Sequence, residues 1–279
     1  MSGAASRTRW GRPNFVVGAT LVTLLVGLAI LSFAWTPYSS IELDIPHKLQ
    51  PPSAAHWLGT DSLGRDIVSL LIVGSRVSIA VGLIAVGIGM AFGVGLGLLA
   101  AVKRGWVEEA VMRFADFTFA FPALLSAIML TAIYGPGLVT SIVAIGIFNV
   151  PVFARITRAS ALVARSREFV LAARALGKSE WRITMEHVVP NIAAILIVQA
   201  TIQFAIAILA EAALSYLGLG TQPPTPSWGR MLNEAQTQLF QAPQLAIYPG
   251  AAIALTVLGL NLMGDGLRDI FDPRLTRRR

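Results

Sequence analysis

Cysteine is absent from this chain of 279 residues, and charged side chains are scarce. Without cysteine the chain can form no disulfide, thiolate zinc site or iron–sulfur cluster, and it has no cysteine nucleophile. Charged residues make up 13% of the chain, about half of the roughly 25% usual in soluble domains, whereas hydrophobic residues make up 55%. The mean hydropathy of +0.68 excludes intrinsic disorder. This composition is typical of an integral membrane protein.

No stretch of about ten residues alternates polar and apolar side chains, which argues against a β-barrel. The sequence instead contains apolar runs that match the roughly 20 residues a helix needs to cross a bilayer. It therefore predicts an all-α integral membrane protein with six transmembrane helices. The apolar runs are Phe15–Trp35, Val77–Val102, Phe117–Ala154, Val188–Ala210 (which can continue to Leu217) and Leu245–Met263.

The third apolar run has 38 residues and is too long for a single crossing. Its centre reads Tyr134-Gly135-Pro136-Gly137, and glycine and proline in this order are strong turn signals. We therefore predict a tight hairpin that divides the run into spans three and four. Six spans place both ends of the chain on the same side of the membrane.

Lys and Arg residues fall mainly on one side of these spans. With the N-terminus in the cytoplasm, 18 of the 22 face inward, and only Lys48, Arg65, Arg76 and Arg230 face outward. Cytoplasmic loops of membrane proteins carry an excess of Lys and Arg, so this distribution predicts an N-in, C-in orientation. The net charge of +7 then reflects topology, and we expect no nucleic-acid partner.

These spans divide the chain into five regions. Ser32-Phe33-Ala34 resembles a signal-peptide cleavage site, but the preceding apolar run exceeds the usual 7–15 residues, so an uncleaved anchor is favoured. The predicted regions are a cytoplasmic N-terminus (1–14), the first transmembrane helix (15–35), an extracytoplasmic segment (36–76), a five-helix core with a cytoplasmic loop at 155–190 (77–265), and a basic cytoplasmic tail (266–279).

Span two is rich in glycine. Gly89, Gly93 and Gly97 are four residues apart and share one helix face, which lets another helix approach closely. A nucleotide-binding glycine loop is the competing interpretation, but a phosphate has no place inside hydrocarbon. Helix packing is therefore the favoured role.

Three patterns resemble chemical sites without meeting their requirements. Gly177-Lys178-Ser179 ends like a phosphate-binding loop, but Ala172 occupies the position of its first glycine and no apolar strand precedes it. His47, His56 and His187 are far apart in the sequence, so we predict no metal site. No catalytic triad or carboxylate pair falls within one aqueous compartment. We therefore expect no enzymatic activity and no cofactor on this chain.

Glu211 is the one acidic residue inside an apolar helix. An intramembrane carboxylate suggests a functional site by default. At 1.5 Å per residue, however, Glu211 lies about 30 Å from Asn191, near the outer interface. There it can reach water or bond to the following loop. A structural role is favoured over a role in a substrate pathway.

The loop after span four predicts short amphipathic helices between Ser166 and Pro190. Apolar and small residues recur there at helical spacing, and Gly177 then interrupts the pattern before a second set. An ordinary solvated loop is the alternative, but small residues on an exposed basic helix favour a docking surface for another protein. The recurring residues are Glu168, Leu171, Ala172, Ala175 and Leu176, followed by Trp181, Ile183 and Met185.

The same loop carries a recognisable spacing. Leu171-Ala172-Ala173, three residues, Gly177, nine residues and then His187-Val188-Val189-Pro190 resemble the coupling motif of ABC-importer permeases. Leu171 stands where the motif usually has glutamate. In that family the loop docks into a groove of the ATP-hydrolysing subunit. The resemblance therefore implies a coupling role for Glu168, Leu171, Ala172, Ala173, Gly177, His187 and Pro190.

Further stretches resemble the C-type permease subunit of dipeptide, oligopeptide and nickel importers. The resemblance extends over roughly residues 10–275 and assigns 77–265 to a permease core. The stretches are His56–Asp61 with Gly64-Arg65-Asp66, Met112–Asp116, Phe121-Pro122, Leu214–Gly220 with Pro223–Gly229, and Asn261–Asp269 with Asp272-Pro273-Arg274. The outer-side residues, taken with Glu211, are Gly59, Thr60, Asp61, Gly64, Arg65, Asp66, Pro223, Pro224, Trp228 and Gly229.

This resemblance implies a multi-pass protein of the bacterial inner membrane that works by alternating access. Its partners would be a second, homologous permease subunit, two subunits that bind ATP and Mg²⁺, and an extracytoplasmic substrate-binding protein. Peptides are the commonest cargo of the family. Nickel or another small solute is the alternative cargo, and an ion-coupled secondary transporter is a further alternative, although no span carries a charged group near its middle.

The two long outer segments, about 36–76 and 218–245, are expected to contact the binding protein or close the outer gate. They are the only long extracytoplasmic stretches that the topology predicts, and Pro223-Pro224-Thr225-Pro226 gives the second one dense turn signals.

The orientation can be tested by thiol labelling, since the chain has no cysteine to give background. Cysteine introduced at Ser53 or Thr225 should react with a membrane-impermeant reagent added to sealed cells. Cysteine at Ser179 should react only after the cells are opened. Labelling of the Ser179 position in sealed cells would overturn the predicted orientation.

Overall fold

The structure, a computed structural model, describes residues 13–271. Arg7, Arg9 and Arg12, the tail from 272 and the motif Asp272-Pro273-Arg274 lie outside the described residues. Within them the chain is helical, and its only β pairing is an isolated bridge between Thr60 and Asp66. The helices are α1 (Pro13–Ala34), α2 (Ile67–Lys103), α3 (Gly105–Ala120), α4 (Ala123–Tyr134), α5 (Leu138–Arg165), α6 (Glu168–Ala175), α7 (Glu180–Ile183), α8 (Val189–Tyr216), α9 (Trp228–Ala235) and α10 (Gln244–Phe271).

Five of these helices, α1, α2, α5, α8 and α10, are long and apolar enough to cross a membrane. The pair α3 and α4 passes the same test jointly and supplies a sixth candidate, although its two halves are bent by 84°. The predicted hairpin is confirmed, because α4 ends at Tyr134 and α5 begins at Leu138. The all-α prediction also holds for the described residues.

The third candidate span is not one continuous helix. The helix is broken at Phe121-Pro122, where proline removes a backbone donor and cannot continue the preceding helix. The half before the break, α3, is amphipathic and carries charged residues. Its Glu108 pairs with Arg158 of α5, and its Asp116 pairs with Arg155. These ion pairs attach α3 to α5.

Span two begins earlier than predicted, at Ile67 instead of Val77. The predicted start, Val77, directly follows the charged residue Arg76. In the structure the guanidinium group of Arg76 has its partners on α1, where Ser32 accepts a hydrogen bond of 2.5 Å from Arg76 Nε. The guanidinium carbon also lies 4.0 Å from the centroid of the Phe33 ring. The segment between α1 and α2 is therefore shorter than 36–76.

Two other boundaries also move. Helix α5 runs to Arg165 and α10 to Phe271, so the loop predicted at 155–190 and the tail predicted from 266 are partly helical.

Helices α1 and α10 pack antiparallel through glycine. A Cβ at Gly18 would lie 2.7 Å from the carbonyl oxygen of Gly259, and one at Gly266 would lie 2.5 Å from Cβ of Phe15. The first and last described residues thus lie at the same end of the bundle.

The glycine face of α2 lies directly against α5. Gly89, Gly93 and Gly97 are buried, and a Cβ added at any of them would overlap atoms of α5. At Gly97 it would lie 2.5 Å from the carbonyl oxygen of Ala154. Gly87 and Gly95, on the other side of α2, have nothing within 4 Å. The small residues therefore let the two backbones meet.

Substitution by alanine should separate these two classes of glycine. Gly95→Ala should be neutral or stabilising, because alanine favours a helix over glycine by about 1 kcal/mol. Gly93→Ala places its methyl 2.7 Å from Cβ of Phe153 and should cost about 1–3 kcal/mol by forcing α2 away from α5. Thermal unfolding of the purified variants in detergent measures the difference. Equal melting temperatures would contradict the close contact.

Candidate functional site

The predicted site residues lie in two regions at opposite ends of α8, which is about 42 Å long at 1.5 Å per residue. One region, the α5–α8 connection, comprises residues 166–188 and contains α6 and α7. The other, the cap, comprises residues 36–66 and 217–243 and contains α9. The first and last described residues, 13 and 271, lie at the same end of the bundle as the connection. Arg268 and Phe271 line one cleft together with Arg167 and Glu168 of the connection.

Helix α6 ends in a glycine-dependent turn. Gly177 has a φ of +77°, its N–H donates to the carbonyl of Arg174, and the N–H of Lys178 donates to the carbonyl of Ala173. This hydrogen-bond pattern is the Schellman motif, in which a left-handed residue follows the helix and glycine avoids the strain. Gly177 is exposed, and a Cβ there would meet nothing within 4 Å. Backbone conformation therefore accounts for glycine at this position.

The two faces of α6 differ. Val170 and Ala173 are buried in an apolar cluster that includes Ile183 and Phe153. The other face is open to solvent within the described residues: Leu171 is 56% exposed, Leu176 is 81% exposed, and Ala172 and Glu168 are exposed with them. Ala173 therefore lies on the inner face, although the sequence grouped it with Ala172. Its side chain is part of this chain's own apolar core.

One carboxylate joins three parts of the connection. Arg174 of α6 donates from Nε to Glu180 Oε1 (2.6 Å) and from Nη2 to Oε2 (3.1 Å). Arg165, the last residue of α5, also donates to Glu180 Oε2, and its Nη1 donates to Thr184 Oγ1 at 3.1 Å. The hydrogen bond to Glu180 raises the pKa of Arg174. Glu180 thus links the end of α5 to α6 and to the turn before α8.

A second carboxylate stays within the connection. Glu186 accepts from Lys178 Nζ and from Arg182 Nε, both at 2.6 Å. Nζ of Lys178 also lies 3.2 Å from Nε2 of His187. Pro190 follows the π-helical stretch Thr184–Val188, which joins α7 and α8 into one continuous helix from Glu180 to Tyr216.

In the cap, a buried arginine joins the two distant segments. Arg65 is 8% exposed and donates to Asp61 Oδ2 at 2.7 Å and to Glu234 Oε2 at 2.5 Å. Arg230 also pairs with Glu234, at 2.9 Å. Burial lowers the pKa of Arg65, but the carboxylates of Asp61 and Glu234 outweigh it and raise the pKa above its ordinary value. The result is a charge network between residues 36–66 and α9.

The remaining residues of the first cap motif shape its loop. Thr60 donates to the carbonyl of His47 at 2.6 Å, and Asp66 caps α2 by accepting from the N–H of Ser69 at 2.8 Å. Asp66 also bonds the ring of His56 at 3.0 Å. The loop turns at two glycines in the left-handed region, Gly59 (φ +83°) and Gly64 (φ +80°), both packed against backbone.

Helix α9 is wedged between α2 and α8. Trp228 is 3% exposed and donates from Nε1 to the carbonyl of Leu71 on α2 at 3.0 Å. A Cβ at Gly229 would lie 2.6 Å from Cα of Ala212 on α8, so only glycine allows this approach. Pro223 and Pro224 are exposed in the loop before α9 and are joined by a cis peptide bond.

Glu211 lies beneath this loop and is 1% exposed, so of the two alternatives, water or a bond to the following loop, the structure shows the second. Its Oε1 accepts from Ser215 at 2.6 Å and from Thr221 at 3.1 Å. Ser215 also accepts from the backbone N–H of Thr221 at 2.9 Å. The carboxyl group therefore fixes the loop that follows α8, which is the structural role favoured from the sequence.

Sequence reasoning missed the residues that complete these networks. Glu234 is separated from Arg65 by 169 positions, so no local pattern connects them. Arg165 was only one of the 18 inward-facing cations, and Glu180 was not singled out. No group of three or more His, Asp or Glu side chains within 13–271 is arranged to hold a metal ion.

Comparison with known proteins identifies relatives over nearly the whole chain. Residues 93–277 match the family described as binding-protein-dependent transport system inner membrane component. The glutathione transport system permease protein GsiD of Pectobacterium atrosepticum is 44% identical over 269 residues, which are 96% of this chain and 89% of that protein. The dipeptide transport system permease protein DppC of Alkalihalophilus pseudofirmus is 43% identical over 260 residues, covering 93% and 86%.

A solved structure has a similar fold. A chain of the MetNI methionine ABC transporter in inward-facing conformations matches with a TM-score of 0.60 and 19% sequence identity. The match covers 73% of this chain and 97% of that one. At this identity the likeness concerns the fold alone.

The buried arginine of the cap offers a stability test. Arg65→Met leaves the buried carboxylate of Asp61 without its ion-pair partner, removes one of the two arginines that bind Glu234, and should destabilise the chain by about 3–5 kcal/mol. Arg113→Met is the matched control, because its pair with Glu109 is 78% and 62% exposed, is screened by solvent and should contribute little to stability. Thermal unfolding in detergent measures both. Equal losses would show that the cap network does not hold the two segments together.

Proposed function

The chain belongs to the family of binding-protein-dependent transport system inner membrane components, the permeases of ABC importers, and we propose that its cargo is a peptide. The observation that carries this proposal is the 43–44% identity to dipeptide and glutathione permeases over at least 93% of the chain. A dipeptide and glutathione share peptide bonds and free carboxylates. Nickel, the alternative cargo, shares neither feature.

In the proposed mechanism the chain contributes one half of a transmembrane pathway in the bacterial inner membrane and carries out no hydrolysis itself. A second, homologous permease subunit supplies the other half, and two partner subunits bind ATP and Mg²⁺. Closure of those ATPases moves the α5–α8 connection and switches the spans between inward-open and outward-open states. An extracytoplasmic protein delivers the cargo.

The proposed orientation places the connection and both chain ends in the cytoplasm and the cap outside. Two observations support it. The first and last described residues, 13 and 271, lie at the same end of the bundle as the connection, and most of the Lys and Arg residues within 13–271 belong to that side. Each predicted region of the chain then stays on its predicted side of the membrane. Only the boundaries of the regions move, to the helix ends in the structure.

Helix α6 is proposed as the docking element for an ATPase subunit. Its outer face presents Leu171, Ala172 and Leu176, apolar side chains that nothing else within the described residues covers. Exposed apolar side chains next to a small residue suit insertion into a partner's groove. Leu171 makes this contact apolar where the family's usual glutamate would make it polar.

The cap is proposed as the contact for the binding protein. Phe240 is fully exposed, and Trp57 is 63% exposed, so both cap segments present aromatic side chains at their surface. Aromatic residues are enriched in protein interfaces. The buried network of Arg65 and the wedge of α9 keep this surface in a fixed position over the spans.

A cleft of about 1400 Å³ lies between α5 and α8 and opens at the connection end. Its wall includes the polar residues Ser160, Asn191 and Gln199 on these two spans. Polar side chains on spans point to cavities and pathways, not to lipid. We assign this cleft to the chain's half of the pathway.

The cargo can be tested in vesicles that contain the complete complex with its binding protein. ATP-dependent uptake of a labelled dipeptide or of glutathione is the expected result, with ion gradients collapsed. Uptake of Ni²⁺ in the absence of peptide would show that the cargo is nickel, and the assignment as an importer would stand. Uptake that follows an ion gradient without ATP would contradict the importer itself.

The docking role predicts a volume limit at Ala172. Ala172→Trp should leave membrane insertion normal, because the side chain is exposed in this chain, but overpacking in a groove costs about 1–3 kcal/mol and weakens docking about tenfold to hundredfold. Ala172→Ser, at the same position, should keep wild-type uptake. Co-purification of the ATPase subunits and stimulated ATP hydrolysis are the measurements. Wild-type values for Ala172→Trp would remove α6 from the interface.

A further inference from the structure

The connection contains two carboxylates with similar surroundings and different partners. Glu180 is 44% exposed and binds two arginines, and Glu186 is 37% exposed and binds Arg182 and Lys178. The partners of Glu186 all lie within residues 178–187. Both carboxylates lie on the helix that continues into α8, but of the two only Glu180 also contacts α5, through Arg165 at its end.

We propose that Glu180 is a positioning residue that transmits the movement of α6 to α5, so that Arg165, Glu180 and Arg174 form the mechanical link between the docking helix and the spans. This inference rests on the proposed coupling role of α6 and adds the residues through which that role acts.

Geometry supports the link. Arg174 donates two N–H groups to the two carboxylate oxygens of Glu180, which fixes the relative orientation of the two side chains as well as their distance. Arg165 is only 10% exposed on its side chain, and it donates at once to Glu180 and to the buried hydroxyl of Thr184. Thr184 in turn donates to the carbonyl of Glu180 at 2.8 Å. A change in the tilt of α6 therefore moves the end of α5 and the turn that leads into α8.

The apolar contact beneath α6 does not replace this link. Val170 and Ala173 pack on Ile183 and on residues of α5, but apolar packing is non-directional and permits small rotations. A charge-assisted, bidentate hydrogen bond specifies one orientation. Because Glu180 and Arg174 are partly exposed, their contribution to folding is small, so a variant can lose the link and keep the fold.

The test compares Glu180→Gln with Glu186→Gln in vesicles that contain the complete importer. Glutamine keeps the shape of glutamate and removes its charge. For Glu180→Gln we expect the amount of cargo moved per ATP hydrolysed to fall by at least about fivefold, the effect of weakening hydrogen bonds to charged groups. Membrane abundance and co-purification of the ATPase subunits should be normal. Glu186→Gln, the matched control, should stay within about twofold of wild type on the same scale.

A covalent bridge between positions 165 and 180 should restore the coupling between ATP hydrolysis and transport. Because the chain has no cysteine, Arg165→Cys and Glu180→Cys can be combined and joined by a short thiol-reactive linker without other reaction sites on this chain. The bridged double variant should regain coupling that the unbridged form has lost. If Glu180→Gln fails to assemble, the bridged variant decides the question.

Two results would overturn the inference: equal coupling in Glu180→Gln and Glu186→Gln, or an assembled, bridged double variant that remains uncoupled. Failure of the wild-type complex to transport any cargo with ATP would instead reject the proposed function, so the two failures are distinguishable.

Discussion

The contact between α2 and α5 is the constraint on which the rest of the structure depends. Lipid gives no hydrophobic driving force for helix pairing, so the helices must gain their stability from close packing of backbone and small side chains. Gly89, Gly93 and Gly97 provide that contact over two turns of α2. Helix α8 then packs on both, with Gln203 donating to Asn149 of α5 at 2.8 Å, and α3 attaches to α5 by ion pairs.

This rigid set of spans separates two polar regions with different construction. In the cap, Arg65, Asp61 and Glu211 are buried, so breaking their contacts carries a large cost and the region moves as one body with the spans. In the α5–α8 connection the charges are partly exposed and arranged around Glu180 and Glu186. That arrangement specifies orientation at little cost in stability. The difference suits the proposed roles, a fixed outer surface for the cap and a connection that transmits movement.

Much of this architecture follows from local sequence. Apolar runs predicted the spans, and the turn at Tyr134–Gly137 and the helix break at Gly177 were visible because glycine and proline act locally. The sequence could not show that Arg76 is satisfied by Ser32 and Phe33, so α2 was started too late. It could not pair Arg65 with Glu234, or place Ala173 on the inner face of α6, because both depend on tertiary contacts between distant segments.

The central claim is that α6 and the cap face different partners on opposite sides of the membrane. Photo-crosslinking in the assembled complex tests it most directly, with one crosslinker at Leu176 and one at Phe240, both highly exposed apolar positions. The account predicts capture of an ATP-binding subunit from Leu176 and of the extracytoplasmic binding protein from Phe240. Capture of an ATP-binding subunit from Phe240, or of the binding protein from Leu176, would contradict it.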